Sequence, residues 1–324
     1  MKKILAVILT AALTLAVLAG CAGEKGGSEQ NKKLKIIATI FPEYNWLQHI
    51  TKGMDNVELT MLMDSGADMH SFQPTADDIY RISSSDLFVY TGGESDKWVA
   101  DVLKSAPRVT AVNLMETLGD RAKQEEVKEG MEANEVEGED KEDEGIGYDE
   151  HIWLSLKNAG VLCQSLCDKL AEKDSAHKDE YRANTQAYVA SLDKLDKKYA
   201  ETVKSAKYDT LIFADRFPFR YLTDDYNLKY YAAFAGCSAE TEASFKTVKF
   251  LADKLNALKL PALCTIEGND KKIAKTVMDT AGAKNTQIIT LDSMQSTVLS
   301  DNAKQTDYLT IMEKNLDAIS QALN

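Results

Sequence analysis

The 324-residue sequence predicts an α/β protein of two lobes with mainly parallel sheets, joined by one long rigid helix. Three observations carry this. Short apolar runs alternate with amphipathic runs from residue 33 to 114. An uninterrupted helical period fills residues 174–203. The strand–helix alternation then restarts near residue 210 and continues to the end.

The first half reads in order. "KLKIIATI" (33–40) is a buried strand, and "PEYNWLQHITKG" is a helix with Pro42 in its first turn and Gly53 at its end. "VELTMLM" (57–63) is the second strand. "TADDIYRISSS" (75–85) is a helix that starts at Pro74 or Thr75. "LFVYTGG" (87–93) and "RVTAVNL" (108–114) are strands on either side of a helix near "KWVADVLKSA". Residues 124–150 then hold 13 acidic and 2 basic side chains. Such a stretch has too little apolar surface to order itself, so an acidic disordered loop is expected over about 120–148.

In "DSAHKDEYRANTQAYVASLDKLDKKYAETV", Tyr181, Tyr188, Leu192, Leu195, Tyr199 and Val203 recur at steps of three, four or seven. They form one apolar face of a helix that Asp174 or Ser175 caps. Beyond it, "TLIFAD" (210–215), "KYYAAF" (229–234), "ALCTIEG" (262–268) and "TQIITLD" (286–292) are strands. Helices occupy 238–255, 269–282 and 308–323. The expected organisation is therefore an N-terminal lobe over 34–173, a linking helix over 174–206 and a C-terminal lobe over 207–324.

Residues 1–20 have the form of a cleaved targeting signal: Lys2 and Lys3, then an apolar run from Ile4 to Leu18. "LAGC" at 18–21 resembles a bacterial lipoprotein lipobox, which implies lipidation of Cys21. "AGEKGGSEQNKK" then makes residues 21–33 a flexible tether, and the mature chain sits on the extracytoplasmic face of the cytoplasmic membrane or in the periplasm. The net charge of −13 lies mostly in the acidic loop, so nucleic acid and anionic lipid are poor partners. Cys163 and Cys167 share a helix face as small hydrophobes, Cys237 and Cys264 have no CxxC partner, and an extracytoplasmic location permits disulfides without specifying any.

Ligands on open α/β sheets bind beyond the carboxyl ends of the strands. The polar residues at such places are His70, His151, the Asp215–Arg216 pair and Asp292. Imidazoles with carboxylates suit zinc, manganese or iron(II). Each also has an ordinary reading. His70 is then a loop histidine, His151 packs beside Trp153, Asp215 pairs with a base, and Asp292 caps "SMQSTV". Asp68, two residues before His70, is a candidate to accept from the second imidazole nitrogen and fix its tautomer.

The segment "GADMHSFQPTADDI" resembles the GADPHxxxPxxxxI segment of the metal-binding proteins of zinc and manganese ABC importers. "DEHIWLS", "YRANTQAYVASLDKLDKKY", "GCSAETEAS", "TIEGNDKKIAKTV" and "ITLDSM" resemble further segments of that family, in order, from about residue 34 to the C-terminus. The resemblance implies two α/β lobes that hold one divalent metal between them and deliver it to an ABC permease. It implies a monomer, with His70 and His151 as N-lobe ligands and Asp292 as the C-lobe carboxylate. The sequence departs from the family at "DRFPFRY" (215–221). Without a gap Arg216 falls on the third-ligand position, and arginine cannot ligate a metal at neutral pH. A one-residue shift puts Asp215 there. A water, or a nearby glutamate such as Glu240 or Glu267, is the alternative. Zinc is the expected cargo, with manganese as the alternative.

Two other function classes fit less of the sequence. A metal-dependent hydrolase would need a general base, and no HExxH occurs, so no enzyme activity is expected. An adhesin without tight metal binding would be favoured only by Arg216.

Overall fold

The computed structural model describes residues 33–132, 147–238, 242–268, 270–299 and 306–324. Cys21, Glu240 and the centre of the acidic stretch lie outside the described residues. Eight strands fall where the apolar runs predict them, in two four-stranded sheets.

The first sheet contains Leu34–Ala38 (β1), Val57–Met61 (β2), Leu87–Tyr90 (β3) and Thr110–Asn113 (β4), in the order β2-β1-β3-β4 and all parallel. Its three crossovers carry helices Phe41–Ile50 (α1), Ala76–Ser83 (α2) and Val99–Ser105 (α3). Thr75 caps α2: its hydroxyl accepts from the Asp78 N–H, and the Asp78 carboxylate accepts from the Thr75 N–H. This fixes the far end of the segment that carries His70. A short helix Leu114–Leu118 (α4) follows β4.

The second sheet contains Thr210–Phe217 (β5), Lys229–Ala235 (β6), Ala262–Ile266 (β7) and Gln287–Leu291 (β8), in the order β6-β5-β7-β8 and again all parallel. Both sheets thus reverse their strand order between two central strands, where a crevice opens beyond the carboxyl ends. Strand β5 is irregular. It pairs with β6 through Phe213↔Ala232 and resumes at Arg216↔Phe234, three residues against two. One extra residue is therefore inserted just before Arg216, which is a β-bulge.

The long helix spans Lys178–Ser205 and follows helix Leu156–Lys173, here α6 and α5 respectively. It starts later than predicted because Ser175–His177 form a 3-10 turn. Asp174 accepts from the Tyr181 hydroxyl and the Asn56 amide there instead of capping the long helix. Tyr181, Tyr188, Leu192, Leu195 and Tyr199 are buried as the period predicts, and Val203 is half-buried.

This helix is not the sole connection. Tyr199 donates to the Met312 carbonyl in the C-terminal helix Tyr308–Ala322. Tyr308 in turn donates from its hydroxyl to the Trp153 carbonyl and meets Trp46 of α1 edge-on. One hydrophobic core consequently runs from β1 through the long helix to the C-terminal helix. A second, smaller core lies between the second sheet and helices Phe245–Leu258 and Lys272–Ala281.

The acidic stretch also differs from expectation at its flanks. Residues 120–132 and 147–148, expected to be disordered, are fixed. The Glu125 N–H donates to the Gly147 carbonyl, and the Glu132 N–H to the Ala233 carbonyl on β6. Bases of the second half pair with these acids: Arg220 with Glu126, and Lys254 with Glu129. Like charges that repel along the sequence are neutralised by residues about a hundred positions away, which a local charge count cannot register.

Candidate metal centre

Asp68 caps the single turn Met69–Ser71: its Oδ1 accepts from the His70 N–H at 3.0 Å. The imidazole is thereby aimed inward, with Nδ1 2.8 Å from Ser95 Oγ and Nε2 3.2 Å from His151 Nε2. The predicted contact from the Asp68 carboxylate to the imidazole is not made. Ser95, on the loop after β3, takes that place.

His151 is fully buried. Asp149 Oδ1 accepts from its backbone N–H and from its Nδ1, both at 2.9 Å. The same Asp-x-His spacing thus makes the same carboxylate-to-backbone hydrogen bond at both histidines, and at His151 the carboxylate also reaches the ring. With the proton held at Nδ1, the Nε2 lone pair points into the cleft, the arrangement that orients imidazoles toward metal ions. The amide Nε2 of Gln295 donates to that lone pair, while Gln295 Oε1, also buried, has no hydrogen-bond partner. Gly236 packs against the ring, and a Cβ there would come within 2.9 Å of His151 Cε1. A glycine is required by that approach.

Burial first, and then the neighbouring His151 and Arg216, lower the pKa of His70 to about 3; Asp68 opposes them. His70 is neutral at physiological pH and competent to donate a lone pair. The two Nε2 atoms already have the separation that one tetrahedral zinc imposes: nitrogens at about 2.0–2.1 Å from the ion lie roughly 3.3 Å apart.

Among the described residues, one group of metal-binding side chains converges: His70, His151 and Cys237, with ligand atoms within 4.8 Å of one another. Asp215 and Asp292 are not in it. The Asp215 carboxylate turns the other way. Its Oδ1 accepts from the Arg216 N–H and its Oδ2 from the Ile266 N–H on β7. The cause is the bulge. β5 pairs with β7 only at Phe213↔Cys264, and the Asp215 carboxylate satisfies a ladder donor that the distorted strand leaves over.

Arg216 faces the cleft instead. Its Nη2 lies 2.8 Å from Asp68 Oδ2 and its Nη1 donates to the Ser238 carbonyl at 3.3 Å. Burial alone would raise the Asp68 carboxyl, but the bond and charge of Arg216 hold it below the usual carboxylate range. Asp292 Oδ1 accepts from the Met294 N–H in a turn where Met294 has φ +61°, and residues 293–299 form no helix for it to cap. Glu267 accepts from Ser293 N and Oγ. Burial raises both carboxyls, and Asp292 raises Glu267 further. These two carboxylates shape the turn that presents Gln295.

Sequence reasoning missed Cys237, Gln295, Asp149 and Ser95 as site residues. The repeated Asp-x-His spacing in "DMH" and "DEH" was the available signal for Asp149. The other three carry no local pattern.

The model of the family "Zinc-uptake complex component A periplasmic" matches residues 36–322. The chain is 29% identical over 323 residues to the zinc-binding lipoprotein AdcA of Streptococcus pneumoniae strain R6, covering 99% of this chain and 61% of that protein. It thus spans about three fifths of the length of that relative. It is also 29% identical to the high-affinity zinc uptake system protein ZnuA of Bacillus subtilis strain 168, over 98% of this chain and 96% of that protein. The crystal structure of the Zn(II)-bound ZnuA-like domain of S. pneumoniae AdcA superposes with a TM-score of 0.70 at 26% identity, over 90% of this chain and 99% of that one. The metal-dependent lipoprotein YcdH of B. subtilis gives 0.73 at 26% identity, over 90% and 100%. With nearly the whole described fold inside the family match, the chain belongs to the family of periplasmic zinc-uptake complex component A proteins.

Proposed function

We propose that this protein captures a zinc ion outside the cytoplasmic membrane and passes it to an ABC permease. The observation that carries the reading is the pair of inward Nε2 atoms of His70 and His151, 3.2 Å apart, each ring held through its other nitrogen. Capture needs no bond-breaking chemistry, and the protein acts as a monomeric carrier, not an enzyme. Lipidation at Cys21 would keep it beside the permease. The centre is closed: His151 is fully buried and the His70 side chain is 9% exposed, so entry and release require the segment around residues 64–72 to move away from β5.

The test is direct. The purified protein is stripped with a chelator and titrated with zinc and with manganese in competition assays. One zinc per chain, bound far more tightly than manganese and lost in His151→Ala, is the expected result. Failure of the wild type to bind either metal would refute the reading.

A further inference from the structure

Resting on that reading, we propose that the sulfur of Cys237 is the third protein ligand, making a His70–His151–Cys237 site that replaces the carboxylate or histidine expected after the first strand of the second sheet. The position that β5 would supply is filled by Arg216, whose guanidinium is engaged by Asp68 and the Ser238 carbonyl. Cys237 comes from the next strand end. It follows β6 directly after Gly236, the residue whose missing Cβ lets this turn lie on the His151 ring. The convergence of two imidazoles and a thiol within 4.8 Å is thus a product of β6, not β5.

Charge supports the assignment. Arg216 and Asp68 neutralise each other. Asp149 behind His151, Glu125 accepting from the Cys237 N–H and Glu150 4.0 Å from His70 Nδ1 line the cluster with acidic groups; burial and these neighbours raise the Cys237 thiol, so a divalent ion is what would displace its proton. The Gln295 amide touches His151 through its Nε2, and its buried Oε1 has no hydrogen-bond partner. Two imidazoles and a thiolate are a donor set for zinc, and soft sulfur discriminates against manganese. Cys163, Cys167 and Cys264 are also free but buried in the cores, away from this cluster.

Cobalt(II) reports the ligand. The stripped protein is titrated with Co2+ and followed by optical absorption, and zinc affinity is measured by chelator competition, for wild type, Cys237→Ser and Cys237→His. A thiolate-to-cobalt charge-transfer band in the near ultraviolet is expected for the wild type. Both variants should lose it. Zinc affinity should fall at least about 100-fold in Cys237→Ser, the upper end of what losing a support to a ligand costs. Cys237→His should recover much of that loss, which separates a missing ligand from a damaged fold. Tight zinc binding without the band, and unchanged in Cys237→Ser, would overturn the cysteine assignment and leave zinc capture standing. A wild type that binds no metal would overturn both.

Discussion

Arg216 Nη2 lies 2.8 Å from Asp68 Oδ2, an ion pair that ties β5 of the second sheet to the turn that carries His70. The two side chains are 19% and 29% exposed, so the pair is partly screened, yet it stands beside the place where a divalent cation would sit. It closes the cleft and cancels the Arg216 charge, which would otherwise repel the cargo.

The sign of that effect is testable. Asp68→Asn leaves Arg216 uncompensated and should weaken zinc binding about tenfold, which corresponds to about 1.4 kcal/mol. The double variant Asp68→Asn with Arg216→Met removes both charges and should recover most of the affinity. Equal losses in the single and double variants would mean that the charge balance is irrelevant.

Asp215 should behave as a structural residue. Asp215→Ala leaves the buried Ile266 N–H without its acceptor and should cost about 1–3 kcal/mol in urea unfolding of the metal-free protein. Zinc affinity of the folded variant should stay within about twofold of wild type, since loss of a direct ligand would cost far more. A large drop in affinity would restore Asp215 to the ligand set.

Asp149 supports His151 through Nδ1. Asp149→Asn can present its amide N–H to that nitrogen and favour the tautomer with the proton on Nε2, which cannot bind metal. Zinc affinity should fall about 10–100-fold. The nitrogen-15 shifts of the His151 ring would show the tautomer change in the metal-free protein.

A buried carboxyl sets a pH dependence away from the site. Glu43 sits at the start of α1 and accepts from the Thr39 N–H, Thr39 Oγ1 and Thr91 Oγ1. Burial, aided by Asp96, raises its pKa from 4.5 to about 8. A carboxyl raised in the folded state binds its proton more tightly there than in the unfolded chain. Its contribution is full below pH 4.5 and is lost as pH rises through about 8. His70, lowered to about 3, acts in the opposite direction only between there and its ordinary value of 6.5. Unfolding of the metal-free protein should therefore show stability falling between about pH 6.5 and 8, at most about 1.4 kcal/mol per pH unit for this one proton, with no further contribution from Glu43 above that range. Glu43→Gln should flatten the slope.

The sequence by itself determined the eight strands, the apolar face of the long helix and the two histidines. Each of these is a local property. Alternation and helical period are set by which face must leave water, and His70 and His151 sit in short segments whose turns are built by an aspartate two residues earlier. Only the tertiary structure decided what lies opposite them. One inserted residue in β5 rotates Asp215 to the backbone of β7 and Arg216 into the cleft, and strand text reads the same with or without a bulge. Cys237 and Gln295 reach the centre because β6 and β8 end beside His151, and Ser95 because β3 ends beside His70. Those are relations between residues 25 to 144 positions apart, fixed by how sheets and helices pack, and no periodicity within a segment encodes them.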